Sequence, residues 1–151
     1  MKKLIFLLIG LFIVTGCFGG DGILNIGSGN KLTCVMEEVD EESEFRLELE
    51  YIFKNDKIDS GKMEVMLYIK DEEGREFVYP MMEGIYLDGF KEYDHITARK
   101  VDDSERLIIV VEFSDIDESL YEDLGDDFLL PQTATLEKTK NQLEEEGFTC
   151  N

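Results

Sequence analysis

Few residues in this chain carry reactive chemistry, and their spacing narrows the choice further. There is one histidine, His95, in Tyr93-Asp94-His95-Ile96. An imidazole titrates near neutral pH and serves as acid or base, with Asp94 or Asp88 as its carboxylate partner. A hydrolase built on that pair is one reading; a surface histidine with a single hydrogen bond is the simpler one. One histidine and no free thiol beside it leave no His/Cys zinc set and no Cys-His nucleophile. No Gly-x-Ser-x-Gly elbow is present, and Gly27-Ser28-Gly29 lies in a glycine-rich stretch instead of between a strand and a helix. Asp115-Ile116-Asp117-Glu118-Ser119 begins as a calcium loop does. Its sixth position is Leu120 and its twelfth Asp126, where that loop needs Gly and Glu. Asp115, Asp117, Glu122 and Asp126 remain as weak oxygen ligands. With the acidic run 37–44 they support a rival reading, a cation-responsive module. The chain has 35 acidic residues, so no single carboxylate pair stands out for glycoside hydrolysis. No metal ligand set and no cofactor is expected.

The thiols are more informative. Lys2 and Lys3 precede an apolar run, Leu4 to Val14, which ends in Thr15-Gly16-Cys17. A membrane-spanning helix needs about 20 apolar residues. This run is shorter and fits the core of a signal peptide. Val14-Thr15-Gly16-Cys17 resembles the lipobox of bacterial lipoproteins: a branched apolar residue, a small residue, glycine, then cysteine. By that resemblance Cys17 takes a diacylglyceryl group and becomes the first residue of the mature chain. Two acyl chains anchor stably where one holds only marginally, at about 0.8 kcal/mol per buried CH₂. An ordinary secretory signal with Cys17 as a bystander is the alternative. Cys34 and Cys150 are left, and an even pair in an exported chain reads as a disulfide from the first strand to the C-terminus. Two free thiols are the other option, and no Cys-x-x-Cys spacing supports a redox role.

The formal charge is −20, two units more negative once Lys2 and Lys3 leave. Nucleic-acid binding needs a basic face and is excluded on that ground. Contact with anionic headgroups is disfavoured too, so the lipid on Cys17 must do the anchoring. The expected layout is a signal over 1–16, a lipidated flexible tether over 17–30 and one domain over 31–151.

The elements that would position any site follow from periodicity. Leu32, Cys34 and Met36 share one face of a first strand, followed by the acidic run 37–44 as a solvated loop. Phe45, Leu47, Leu49, Tyr51 and Phe53 alternate with Arg46, Glu48 and Glu50, which predicts a strand with one buried face. Asn55-Asp56 tolerate positive φ and predict a tight turn. The return strand carries Met63, Val65, Leu67 and Ile69, with a bulge expected at Ser60-Gly61. Residues 71–74 read as a turn. Over 80–93 the spacing of Met82, Ile85, Tyr86, Phe90 and Tyr93 predicts a helix with Pro80 in its first turn; an irregular aromatic loop is the alternative. Residues 96–101 and 106–114 predict a second hairpin, with Leu107–Val111 continuously apolar as in a central strand. Thr133 or Thr135 caps a final helix, with Gly147 as its terminator and Phe148 folding back.

Two stretches then resemble a known group. Tyr51-Ile52-Phe53-Lys54-Asn55-Asp56-Lys57-Ile58 is similar to the first hairpin of the YehR-like small bacterial lipoproteins, and Leu143-Glu144-Glu145-Glu146-Gly147-Phe148 to their C-terminus. The Cys34–Cys150 pair departs from that pattern. The resemblance implies a fold and no functional residues. The expected fold is α+β: an antiparallel sheet of about five strands, one or two helices packed on one face, and a C-terminal helix.

Tyr79, Met81, Met82, Tyr86, Phe90 and Tyr93 cluster in one segment. They serve either core packing or a partly exposed patch for a peptide or protein partner, since Met and Tyr surfaces adapt well. The expectation is therefore a non-enzymatic binding module, anchored by lipid to a bacterial cell membrane and facing outside the cytoplasm. Its partner would be another envelope protein or a peptide.

Overall fold

The computed structural model describes residues 31–91, 93–115 and 135–151. Cys17, the tether over 17–30, and the candidate ligands Asp117, Glu122 and Asp126 lie outside the described residues. In chain order the elements are β1 (Lys31–Val39), β2 (Ser43–Lys54), β3 (Lys57–Ile69) and α1 (Glu72–Glu83), which runs on into a π-helical turn (Gly84–Asp88). Then come β4 (Ile96–Val101), β5 (Arg106–Ser114), α2 (Leu136–Glu145) and β6 (Thr149–Cys150). The strands form one antiparallel sheet of six in the order β4-β5-β3-β2-β1-β6. The expected α+β class holds, with a sixth strand added.

Side chains alternate across a pleated strand, and every long strand here uses that alternation in the same direction. Leu32 and Cys34 of β1, Leu47, Leu49, Tyr51 and Phe53 of β2, and Met63, Val65 and Leu67 of β3 are buried in one cluster with Leu107, Ile109, Val111 and Phe113 of β5. Val78 and Met82 of α1, Leu143 of α2 and Phe148 join that same cluster, so both helices cover the same face. The continuous apolar run of β5 has its cause in position. It lies between β3 and β4, and Val110, on the face away from the helices, is also buried.

Three local expectations need correction. The acidic run 37–44 is mostly strand: β1 extends through Val39 and β2 begins at Ser43. Arg46 makes this tolerable by pairing with Glu37 across the ladder and with Glu48 at 2.7 Å. The bulge falls at Asp59, where Ile52 pairs with Ser60 but Phe53 pairs with Ile58. Residues 71–74 are the start of α1 instead of a turn, so Pro80 sits well inside the helix. The Asn55-Asp56 turn is as expected, with φ of 51° and 58°. So is the end of α2: Phe148 N–H donates to Leu143 C=O at 3.0 Å and Gly147 N–H to Glu144 C=O at 3.2 Å. That is the paired bonding of a glycine-terminated helix.

Two turns are built alike. The Asp40 carboxylate accepts from the N–H groups of Glu42 and Ser43, each at 2.7 Å, and from the Ser43 hydroxyl. Asp103 accepts from the N–H groups of Glu105 at 2.9 Å and Arg106 at 2.8 Å. Backbone donors aimed at a carboxylate favour its charged form, and these bonds hold both carboxyls below the usual aspartate range. A folded-state value below the unfolded one stabilises the fold above the ordinary aspartate pKa, and that contribution is lost as pH falls through the folded value. Carboxyl NMR titration should therefore find Asp40 and Asp103 ionised at pH values where ordinary surface aspartates are already protonated. Ordinary titration at both positions would contradict the turn geometry.

Candidate functional site

The segment from Asp71 to Tyr93 carries the aromatic and methionine residues singled out in the sequence. Its helix starts because Asp71 caps it: the side chain accepts from Gly74 N–H at 2.8 Å, and Glu72 and Glu73 in the first turn suit the helix dipole. The Arg75 guanidinium donates to the carbonyls of Ile69 at 2.8 Å and Lys70 at 3.1 Å, tying the first turn to the end of β3. The Tyr79 hydroxyl fixes the middle of the helix. It lies 2.8 Å from Glu105 O and 3.2 Å from Leu67 O, and accepts from Ile69 N–H at 3.3 Å.

Pro80 has no N–H to give, so the Glu76 carbonyl lacks its helical donor. The chain leaves α-helical geometry four residues later, in the π-helical turn. Gly89 ends that turn where a Cβ would lie 2.4 Å from the Ile85 carbonyl oxygen. A side chain there would force the turn open. Phe90 then returns to the core, with its ring centroid 6.5 Å from that of Tyr86. Burial pushes the Tyr86 phenol above its ordinary pKa.

The aromatic and methionine cluster read from the sequence is thus divided. Met82 and Phe90 are core, and Tyr79, Tyr86 and Tyr93 are partly buried against it. Only Met81 is exposed, at 38%. It stands in a ridge with Phe77 at 68% and Ile85 at 53% exposed. The four-residue spacing of these three puts them on one side of the helix, flanking the buried stripe of Val78 and Met82. Phe77 was outside the sequence-derived patch. A helix started at the Asp71 cap would have placed it there.

Separately, an open groove of about 460 Å³ runs between the π-helical turn and β4. Glu83, Leu87 and Phe90 form one wall, and Ile96, Ala98 and Lys100 of the edge strand form the other. Lys100 pairs with Glu83 across the groove, and Lys91 pairs with Asp88 at its end. Arg99, also at the groove, has no ion-pair partner among the described residues.

The remaining candidates are placed as follows. Cys34 and Cys150 are joined by a disulfide that links β1 to β6 over a sequence separation of 116. Thr33 and Asn151 exchange both backbone bonds, at 2.8 and 3.3 Å. This makes Cys34 and Cys150 the adjacent non-hydrogen-bonded pair, where side chains of opposed strands stand closest. His95 is exposed just before β4, and its imidazole has no hydrogen-bond partner among the described residues. Asp88 is engaged by Lys91 instead of by His95. Asp115 is exposed at the end of β5 with φ of 51°. Glu37 faces Arg46, and Glu44 faces Arg106 at 3.5 Å, so the run 37–44 is not a free acidic loop. Among the described residues no group of three or more His, Cys, Asp or Glu is arranged to hold a metal ion. No helix among them is long and apolar enough to cross a membrane.

No family model and no curated protein matches the chain. Among solved structures, it is similar to the NMR structure of a protein from Streptococcus pneumoniae TIGR4. That match has a TM-score of 0.52 and 12% sequence identity, and covers 92% of this chain and 94% of the other. At that identity the likeness is one of fold: the sheet and helices described above are an arrangement that another protein also adopts.

Proposed function

We propose that this protein is a lipid-anchored, extracytoplasmic binding module without catalytic activity, which meets another envelope protein or a peptide. The observation that carries the reading is the open groove between the π-helical turn and β4; the exposed side chains of Phe77, Met81 and Ile85 on the same segment add apolar surface elsewhere on the helix. Grooves and exposed apolar patches rimmed by polar residues mark interaction or binding sites. The anchor rests on the order of Lys2-Lys3, the apolar run and Val14-Thr15-Gly16-Cys17. Kinship with the YehR-like lipoproteins belongs to the same reading and rests on the 51–58 hairpin and the end of α2.

The test separates anchor from binding. Cys17→Ala should move the protein out of the membrane fraction and abolish the mass added by acyl chains. An unmodified N-terminus downstream of Cys17, found in the culture medium of cells with the native sequence, would sink the anchor. Binding is tested by cysteine-independent crosslinking of the native chain in intact cells. One reproducible partner is expected, and a clean monomer with none would contradict the reading.

A further inference from the structure

We propose that the groove takes an extended polypeptide segment, which joins the sheet as an added strand along β4. This rests on the binding reading above and specifies the form of its partner. Two edges bound the sheet, and they are unlike. β6 is two residues long, disulfide-bonded to β1, and followed by Asn151 in a bonded pair with Thr33. β4 is six residues long and borders the groove.

The bonding pattern of β4 says which of its groups are open. Ser114 N–H donates to His95 C=O at 3.2 Å. His95 is thus of the hydrogen-bonded class, and the class alternates along an antiparallel ladder. Thr97, Arg99 and Val101 therefore turn their backbone groups toward β5, opposite Glu112, Val110 and Ile108. Ala98 and Lys100 turn theirs the other way, off the sheet. Ile96 N–H is already taken by Tyr93 C=O at 3.2 Å. Among the described residues nothing bonds the outward N–H and C=O of Ala98 and Lys100. A row of such groups is a template for another strand, and recognition by strand addition draws affinity from these bonds and selectivity from pockets for alternate side chains. Here the pocket lies on the helix side of the edge. Alternate apolar side chains of an incoming strand would meet Leu87, Phe90 and Ile96.

Charge selects among possible occupants. The chain has 35 acidic residues against 15 Lys and Arg, yet Ile96-Thr97-Ala98-Arg99-Lys100-Val101 has two cations and no acid. Lys100 is matched by Glu83; Arg99 is left for the partner. A second copy of β4 would set like charges on adjacent strands, which is unfavourable. The segment that fits has apolar residues at every second position and an acidic residue opposite Arg99.

The test uses the full chain in detergent micelles. A phage-displayed library of random decapeptides is selected on it, and the enriched peptides are synthesised. Enriched sequences should alternate apolar residues and carry an acid. Their saturation should slow amide exchange at Ala98 and Lys100. Ala98→Pro removes an outward donor, which an edge strand tolerates, and should weaken binding by about tenfold or more. Arg99→Glu, which leaves the backbone intact, should discriminate against the acidic peptides and keep the melting temperature. The proposal is overturned by no enrichment, or by binding to both variants as tight as to the native chain. It is also overturned by a chain dimer that Ala98→Pro dissociates, or by amides at Ala98 and Lys100 already slow in the free chain, since a second copy or the chain itself would then occupy the edge. If crosslinking in cells still recovers a partner with Ala98→Pro, strand addition fails while the binding reading stands.

Discussion

Removing the Cys34–Cys150 bond should cost the domain roughly 4–5 kcal/mol, the chain-entropy value for a loop of about this length. The bond closes most of the domain into one ring, with a sequence separation of 116, so it excludes many extended conformations from the unfolded ensemble. It also holds the C-terminal edge. β6 has two residues, too few to pair stably alone, and the adjacent Thr33–Asn151 bonds depend on it. Leu143 and Phe148 are themselves buried in the core, so without the disulfide α2 should loosen at its end before it detaches. Because Cys34 is fully buried, reductant added to the folded protein reaches the bond slowly. The cleaner measurement is denaturant unfolding of the native chain against Cys34→Ala with Cys150→Ala. A midpoint that does not move would contradict this account of the C-terminus.

The second large effect lies in the middle of the sheet. Tyr51→Ala should destabilise the fold by about 3–5 kcal/mol, the usual range for emptying a buried aromatic site. Tyr51 is 1% exposed and stands in a row running Leu32, Tyr51, Gly61, Phe113 and Ile96 across five strands. Its ring centroid is 6.2 Å from that of Phe113 at an angle of 53°, a tilted pairing that aromatic quadrupoles favour. The two rings come together over Gly61, which has no side chain between them. A Cβ at Gly61 would lie 2.5 Å from the Glu50 carbonyl oxygen and 2.5 Å from Phe113 Cζ. Gly61→Ala should therefore cost about 1–3 kcal/mol through overpacking. Shortening the ring with Phe113→Leu should not rescue it, because the Glu50 carbonyl is backbone and stays. Thermal and urea unfolding of the three variants checks both numbers; full rescue would show that the ring alone sets the constraint.

The strands were legible because period-two alternation is a local signal. Phe45 to Phe53 names its buried face without any knowledge of its neighbours. The same holds for Asn55-Asp56, where residue type alone anticipates positive φ, and for Gly147-Phe148 at the end of α2. Helix α1 was legible only in part. Arg75 to Tyr79 carries Phe, Val and Tyr, which fit strands as well as helices, and three acidic residues with Gly74 resemble a turn. The Asp71 cap, the ties from Arg75 to β3 and the Tyr79 anchor decide for helix, and two of those are tertiary. β6 could not be read at all, since two residues have no period and exist as a strand through Cys34. The sequence marked a candidate patch over 79–93, but not the groove or its second wall. That wall is β4, and its open groups follow from which residues pair with β5, a long-range fact.

The central claim is that the α1–β4 side of this domain meets a partner at the cell envelope. A photo-crosslinking residue at Thr97, exposed beside the groove, tests it against one at Glu145, exposed on α2 over the other edge of the sheet. In intact cells Thr97 should give one reproducible crosslinked species, identifiable by mass spectrometry, and Glu145 should not. Equal patterns from both positions, or none from Thr97, would contradict the claim.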